Sequence, residues 1–243
     1  TMAYMTLLFS EAVHDKKIRE SPAIRISRRR VEAAPSSPLT VGAVQAIVDA
    51  MHPWFGSMAI FVAATGLRQS EVAGLTVDRV DLERGSVLVD RQWVGGVEDG
   101  GWAAPKTPSS IRRIKIGPRT IRLLRPLVEG RLGGAFVWEH PNGGVQNGQR
   151  QSVEWARVRK RMPDLEMGRG WHQLRHHHAS QLIAAGASPV AVASRLGHKD
   201  VSLTLRVYAH LWESDDDKLA LLSDGLLTAN HHETTTNPAD PND

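Results

Sequence analysis

Apolar residues recur along this chain with two periods, and each period marks a different kind of element. Ala3, Tyr4, Leu7, Leu8, Ala12 and Val13 repeat every three to four positions and predict an amphipathic helix over 3–14. Val44, Ile47, Val48 and Met51 predict a second helix, with Thr40 as its N-cap. A third covers about 55–64 and is broken by Gly66, and a fourth begins within Gln69–Leu75. Alternation with a period of two then takes over: Val80–Leu82, Ser86–Val94 and Ile111–Ile116 read as strands, with Gly95-Gly96 and Pro105–Ser110 as loops. Pro118 opens a helix to about Glu129, and Phe136–Trp138 is a short apolar piece between glycine turns. Helices follow over 148–161, 172–185, 189–196 and 201–210, punctuated by Gly186, Pro189 and Gly197, and a last one over about 213–222 carries Leu219, Leu221 and Leu222. The fold class expected is mainly α with a small antiparallel β-sheet, an α+β fold.

The pattern breaks into segments. Residues 1–22 read as the last helix of an upstream domain, because the helix starts without a cap or partner helices. Residues 23–38 hold Arg25, Arg28, Arg29 and Arg30 and pass into Ala33-Ala34-Pro35-Ser36-Ser37-Pro38, a basic interdomain linker. Residues 39–212 form the main domain. Residues 213–228 are a helical tail that packs either in cis or on a neighbouring protomer, and 229–243 lack the apolar content to order themselves.

Composition narrows the class. With 243 residues and 41% hydrophobic content, one or two domains with a packed core are affordable. The absence of cysteine excludes disulfides and thiolate metal sites. No apolar run approaches the ~20 residues of a membrane span, and Met2–Phe9 is too short for a secretory signal, so a cytoplasmic protein is expected. Charge is strongly segregated. Residues 212–243 carry eight acidic groups against Lys218, a net −7, which leaves 29 basic and 18 acidic groups, +11, on residues 1–211. A basic body with an acidic end fits a polyanionic partner, although a solvated surface rich in lysine and arginine would read the same way.

Candidate chemistry concentrates near the C-terminus. In His172-Gln173-Leu174-Arg175 the histidine and arginine, three apart, share a helix face, while Leu174, His178 and Leu182 turn to the core side. A planar guanidinium can grip phosphate oxygens through two donors, and an imidazole titrates near neutral pH. A solvated face is the plain alternative. His176 stands four from His172, a zinc-ligand spacing, but without an H-E-x-x-H glutamate or a third ligand, so no metal is expected. His177 and His178 read as packing or surface residues. Upstream, Thr65-Gly66-Leu67-Arg68-Gln69-Ser70-Glu71 puts Arg68 at a loop-to-helix junction, with Glu71 placed to orient it. Pro105-Lys106-Thr107 leads into Ile111-Arg112-Arg113-Ile114-Lys115-Ile116. There Lys106 could protonate a leaving oxygen from a hairpin tip, or be one of several phosphate contacts beside Arg112 and Arg113. His198, after Leu196-Gly197, is either a donor to a phosphate oxygen or a helix C-cap. Tyr208, one of two tyrosines with Tyr4, is either a nucleophile or a half-buried packing residue beside Leu205 and Leu211.

Taken in order, these motifs resemble the tyrosine recombinases of the phage integrase family. Thr65–Leu82 is similar to that family's first-arginine box, Pro105–Ile116 to its K-T…R hairpin, Trp171–Ala179 to its H-x-L-R-H box (here H-Q-L-R-H) and Leu196–Leu211 to its L-G-H…Y box. The resemblance covers about residues 3–228 and implies the mixed, mainly α catalytic domain, preceded by the last helix of a core-binding domain. It implies site-specific cutting and rejoining of double-stranded DNA through a 3′-phosphotyrosine, in a bacterial host cell. It implies Arg68, Lys106, His172, Arg175, His198 and Tyr208 as catalytic residues, supported by Glu71 and His176, with Arg28, Arg29, Arg30, Arg112 and Arg113 on DNA. No cofactor is implied. The implied partners are DNA, three further protomers in a homotetramer on two recombination sites, and in some systems a DNA-bending accessory protein. A type IB topoisomerase-like strand transferase and a catalytically silent DNA-binding protein are the alternatives.

Overall fold

The computed structural model describes residues 2–23, 38–96, 98–105, 107–165, 170–209, 220–221 and 223–224. The expectations for Arg28, Arg29, Arg30 and Lys106, and nearly all of those for the linker and for the tail beyond 209, lie outside them. The chain divides into two compact units, Thr1–Ser37 and Pro38–Asp243. The first holds α1 (Met2–His14), on which Leu7 and Leu8 are exposed.

In the second unit the sequence signals act where they were read. Thr40 accepts from the Ala43 N–H at 3.1 Å and starts α2 (Val41–Ala50), satisfying one of the helix's unpaired donors. Pro53 opens α3 (Pro53–Thr65), which Gly66 ends in the left-handed conformation, φ 70°. Helix α3 is apolar on every side, with Phe55, Met58, Ala59, Phe61 and Val62 all buried. Such a helix has no polar face and belongs in the centre, and Ile60 is its one exposed large apolar side chain. It is flanked by α2, α5 (Pro118–Val128) and α7 (Trp171–Ala184). Burying each such side chain contributes roughly 1.5–3 kcal/mol, so this helix anchors the domain. After it come α4 (Gln69–Ala73), and later α6 (Gly148–Arg161), capped by Asn147, α8 (Pro189–Leu196), capped by Ser188, and α9 (Val201–Tyr208), capped by Asp200.

The strands differ from the expectation. Ser86–Val94 is not one strand but two, β2 (Ser86–Val89) and β3 (Gln92–Val94). Asp90 interrupts them, its carboxylate taken by the Arg79 Nε–H at 3.1 and 3.0 Å. β2 lies between β1 (Val80–Asp81) and β5 (Arg112–Lys115), all antiparallel, with Val87 opposite Ile114 and Val89 opposite Arg112. β3 instead pairs with an unpredicted β4 (Gly101–Ala103), Trp93 opposite Trp102. Among the described residues there are thus two small antiparallel sheets rather than one. A large core joins α2, α3, α5, the three-stranded sheet, α6 and the start of α7. A separate small apolar cluster of Ala179, Ile183, Val192, Leu196 and Tyr208 joins the end of α7 to α8 and α9.

Candidate active site

Arg68 is the N-cap residue of α4, and the helix start fixes it. Glu71, at the third helical position, accepts from the Arg68 backbone N–H at 2.8 Å and from its guanidinium Nη1 at 2.8 Å, a capping box closed by an arginine. Arg68 Nη2 donates to the Gly197 carbonyl at 2.8 Å, 129 residues away. The guanidinium is thereby held at the junction of two distant motifs while remaining one-third exposed.

Glu71 itself is buried and is gripped from the other side. Arg112 donates to it from Nη1 at 3.0 Å and Nη2 at 2.9 Å, and to the carbonyls of Arg195 and Ser110 at 2.9 Å each. Burial alone would raise the Glu71 pKa. The Arg112 hydrogen bonds and charge, with those of Arg68, reverse this and hold it at about 2. The Arg112 side chain, expected on DNA, is 8% exposed and faces the protein interior. Alternation explains it, since positions 112, 114 and 116 share a face, and Ile114 and Ile116 are buried. Arg113, on the other face, is exposed.

Because the Glu71 pKa falls from an ordinary 4.5 to about 2 on folding, its stabilisation is fully present above pH 4.5 and disappears as pH drops towards 2, up to about 3 kcal/mol. Glu71→Gln should therefore be less stable than the parent at pH 6 and lose less on acidification. Urea denaturation at pH 6 and pH 3 measures this, and equal acid sensitivity of the two proteins would contradict it.

Arg175 is the second fixed guanidinium. On α7 the residues from Gln173 to Ser180 are buried except for half-exposed His176, and Arg175 is 4% exposed. It donates to the Gly66 carbonyl at 2.5 Å and the Leu196 carbonyl at 2.7 Å. Burial and the neighbouring Arg68 charge push its pKa down to about 9, so it is a cation at neutral pH. Its two acceptors are the residues just before Leu67-Arg68 and Gly197-His198, so one side chain ties the three motifs together. Gly66 is required there: a Cβ would sit 2.7 Å from the His178 ring and 2.8 Å from Leu196, in a left-handed backbone. Gly197, φ 66°, is the counterpart, a Cβ meeting Arg112 Nη1 at 2.9 Å.

Two further histidines hold the frame. His178, on the core side as expected, contacts the Ala63 carbonyl through Nδ1 at 3.0 Å and accepts from Arg195 Nε–H at 3.0 Å. His177 is buried against the Leu39 carbonyl at 2.6 Å. His198 is positioned by Thr204, whose hydroxyl meets Nδ1 at 2.7 Å. Burial, then the charges of Arg175, Arg68 and Arg112, push the His198 pKa down to about 4.

Tyr208 ends α9, 5% exposed, with its hydroxyl 2.7 Å from His176 Nδ1. His172 is exposed one turn before His176 on α7, the rings 5.1 Å apart and 78° inclined. Arg68, His172, Arg175, His176, His198, Leu203, Val207 and Tyr208 line one cleft of about 190 Å³. A neighbouring cleft of about 230 Å³ shares Arg68, His198 and Leu203 and is bordered by Pro105, Thr107 and Lys199. Five expected catalytic residues thus meet, and Lys106 lies outside the described residues. Sequence reasoning missed Thr204 and Arg195. Thr204 was findable, being one helical turn before Tyr208. Arg195 carried no local signal.

This arrangement, two fixed guanidiniums and three imidazoles around a buried phenol, sits on the fold of tyrosine recombinase and integrase catalytic domains. The Tn1549 transposon integrase in complex with circular intermediate DNA superposes with a TM-score of 0.73 at 22% identity, covering 90% of this chain and 77% of that one. XerA recombinase gives 0.57 at 15% identity. The phage integrase family model matches residues 38–214, and the chain belongs to that family. It is 23% identical to the ICEBs1 integrase of Bacillus subtilis, over 93% of this chain and 64% of the relative. It is 30% identical to tyrosine recombinase XerC of Pseudomonas entomophila, over 61% of this chain and 45% of the relative. The chain spans about half to two thirds of the length of these relatives. Among the described residues no helix is long and apolar enough to cross a membrane.

Proposed function

We propose that this chain cuts and rejoins double-stranded DNA at specific sites through a 3′-phosphotyrosine intermediate. The observation that carries the reading is the convergence of Arg68, Arg175 and His198 with Tyr208 on one cleft. Tyr208 attacks the scissile phosphorus. Arg68, Arg175 and His198 stabilise the charge that builds on the non-bridging oxygens, the largest contribution expected in such chemistry. His172, at the mouth of the cleft, assists proton transfer. The family motif gives Lys106 the role of general acid to the 5′-oxygen. Arg113 on the exposed face of β5, with Arg28, Arg29 and Arg30, contacts the DNA backbone. The bond energy stays in the covalent link, so the reaction needs neither ATP nor a metal. The working assembly is a homotetramer on two sites in a bacterial cytoplasm, aided in some settings by a DNA-bending protein.

The test is trapping on a nicked suicide substrate in EDTA. A DNA-linked protein band forming at the same rate with and without chelator is expected. A strict magnesium requirement for the covalent step would overturn the mechanism, because the cleft has cations where a metal-dependent nuclease places carboxylates.

A further inference from the structure

A tyrosine nucleophile has to lose a proton, and apart from His172 the residues assigned above stabilise the phosphate or serve the leaving oxygen. Arg68 and Arg175 carry donors only and cannot accept a proton. His198 presents Nδ1 to Thr204 at 2.7 Å. The Glu71 carboxylate is occupied by Arg68 and Arg112. His176, which lines the same cleft, is hydrogen-bonded to the phenol, Nδ1 to Oη at 2.7 Å.

We propose that His176 is the general base for Tyr208, receiving the phenolic proton on Nδ1 as the tyrosine oxygen attacks phosphorus. The proposal rests on the strand-exchange reading of the cleft. With Tyr208 donating, His176 is the Nε2–H tautomer and becomes imidazolium on accepting the proton. In the forward step the Oη–H bond breaks towards Nδ1, the Oη–P bond forms, the P–O5′ bond breaks, and the 5′-oxygen takes its proton from the general acid. On rejoining, His176 returns the proton to the departing phenolate. His172 continues the path outward. It lies next on the same helix face, and exposure rises from buried Tyr208 through half-exposed His176 to exposed His172.

The electrostatics keep both partners neutral before reaction. The groups facing His176 are Arg175 and His172 on its own helix, Tyr208 from α9, Arg68 from the start of α4 and His198 from the loop after α8. Burial, then His172 and Arg175, push the His176 pKa down to about 4, so the ring is neutral and able to accept at physiological pH. Burial, partly offset by Arg175, pushes the Tyr208 pKa up to about 12, so the phenol does not ionise unaided. The proton therefore moves together with O–P bond formation and not before it.

Single-turnover cleavage of a suicide substrate between pH 6 and 9 tests the proposal. His176→Gln keeps an acceptor near the phenol but removes the basic nitrogen. Its cleavage should be about 100-fold slower at pH 7, and the deficit should shrink as pH rises and hydroxide substitutes for the base. A substrate with sulfur in place of the 5′-bridging oxygen should not restore the rate, because the leaving group is not what is impaired. His176→Gly should regain cleavage with added imidazole, which a purely architectural role for the ring would not allow. Parental rate and pH profile in His176→Gln, a deficit constant with pH, or recovery with the sulfur substrate would each overturn the proposal. If the parent protein forms no adduct, the strand-exchange reading itself falls and takes this proposal with it. Adduct formation by the parent and by His176→Gln at equal rates removes the proposal alone.

Discussion

Tyr208→Phe is expected to abolish covalent attachment to DNA while leaving DNA binding nearly intact. The substitution removes one oxygen from a side chain that is otherwise an apolar member of the small cluster with Ala179, Ile183, Val192 and Leu196. The ring keeps its packing, and the lost hydrogen bond to His176 costs about 1 kcal/mol of stability. The cationic groups that hold phosphate, Arg68 and Arg175, do not depend on the phenol for position. Trapping on a nicked substrate and a gel-shift titration separate the two properties. An adduct formed by the phenylalanine variant would remove Tyr208 from the role of nucleophile, whatever the binding curve showed.

Arg175→Ala is expected to lower single-turnover cleavage by at least ~100-fold, since it deletes a preorganised donor to the developing charge. It should also destabilise the fold, which distinguishes it from an alanine at Arg68. Arg175 is almost fully buried and satisfies the carbonyls of Gly66 and Leu196. Each carbonyl left unpaired in the interior costs about 1–3 kcal/mol. Arg175→Lys keeps the charge but presents a single ammonium where a planar fork meets two separate acceptors, and it should recover little of either loss. Cleavage rate and melting temperature measured on the same preparations decide the matter. Weaker DNA binding with unchanged cleavage would make Arg175 an anchor for phosphate and nothing more.

Much of the fold could be read from the sequence because its helices announce themselves. Thr40, Ser188 and the prolines at 53, 118 and 189 stand at helix starts, and Gly66 and Gly197 at helix ends. The strands were harder. β4 is three residues following glycine, and what makes it a strand is Trp102 facing Trp93 across the pair, a contact invisible to local patterning. The split at Asp90 likewise depends on Arg79, eleven residues away. In the site, residue types and order identified the cleft, but two neighbouring arginines, 112 and 113, were given one role although successive strand positions face opposite ways. The period that predicted the strand already separates their two faces. The pairing of His176 with Tyr208 spans 32 residues and two helices, and no spacing rule reaches that far.

The two apolar clusters carry a final consequence. Arg68 and Arg112 are braced against the large core through α4 and β5, whereas Tyr208 belongs to the small cluster, together with Leu196, whose carbonyl Arg175 also holds. Free energy of local opening follows the amount of packing that must be given up. Opening α9 should therefore cost less than global unfolding, and it would take Tyr208, and the Thr204 hydroxyl that positions His198, away from Arg68 and Arg175. On the proposed function, affinity for the DNA backbone would then depend less on α9 than competence to cut it does. A contact made on α9 would then bear on the reactive geometry of Tyr208 before it bore on Arg68 and Arg112.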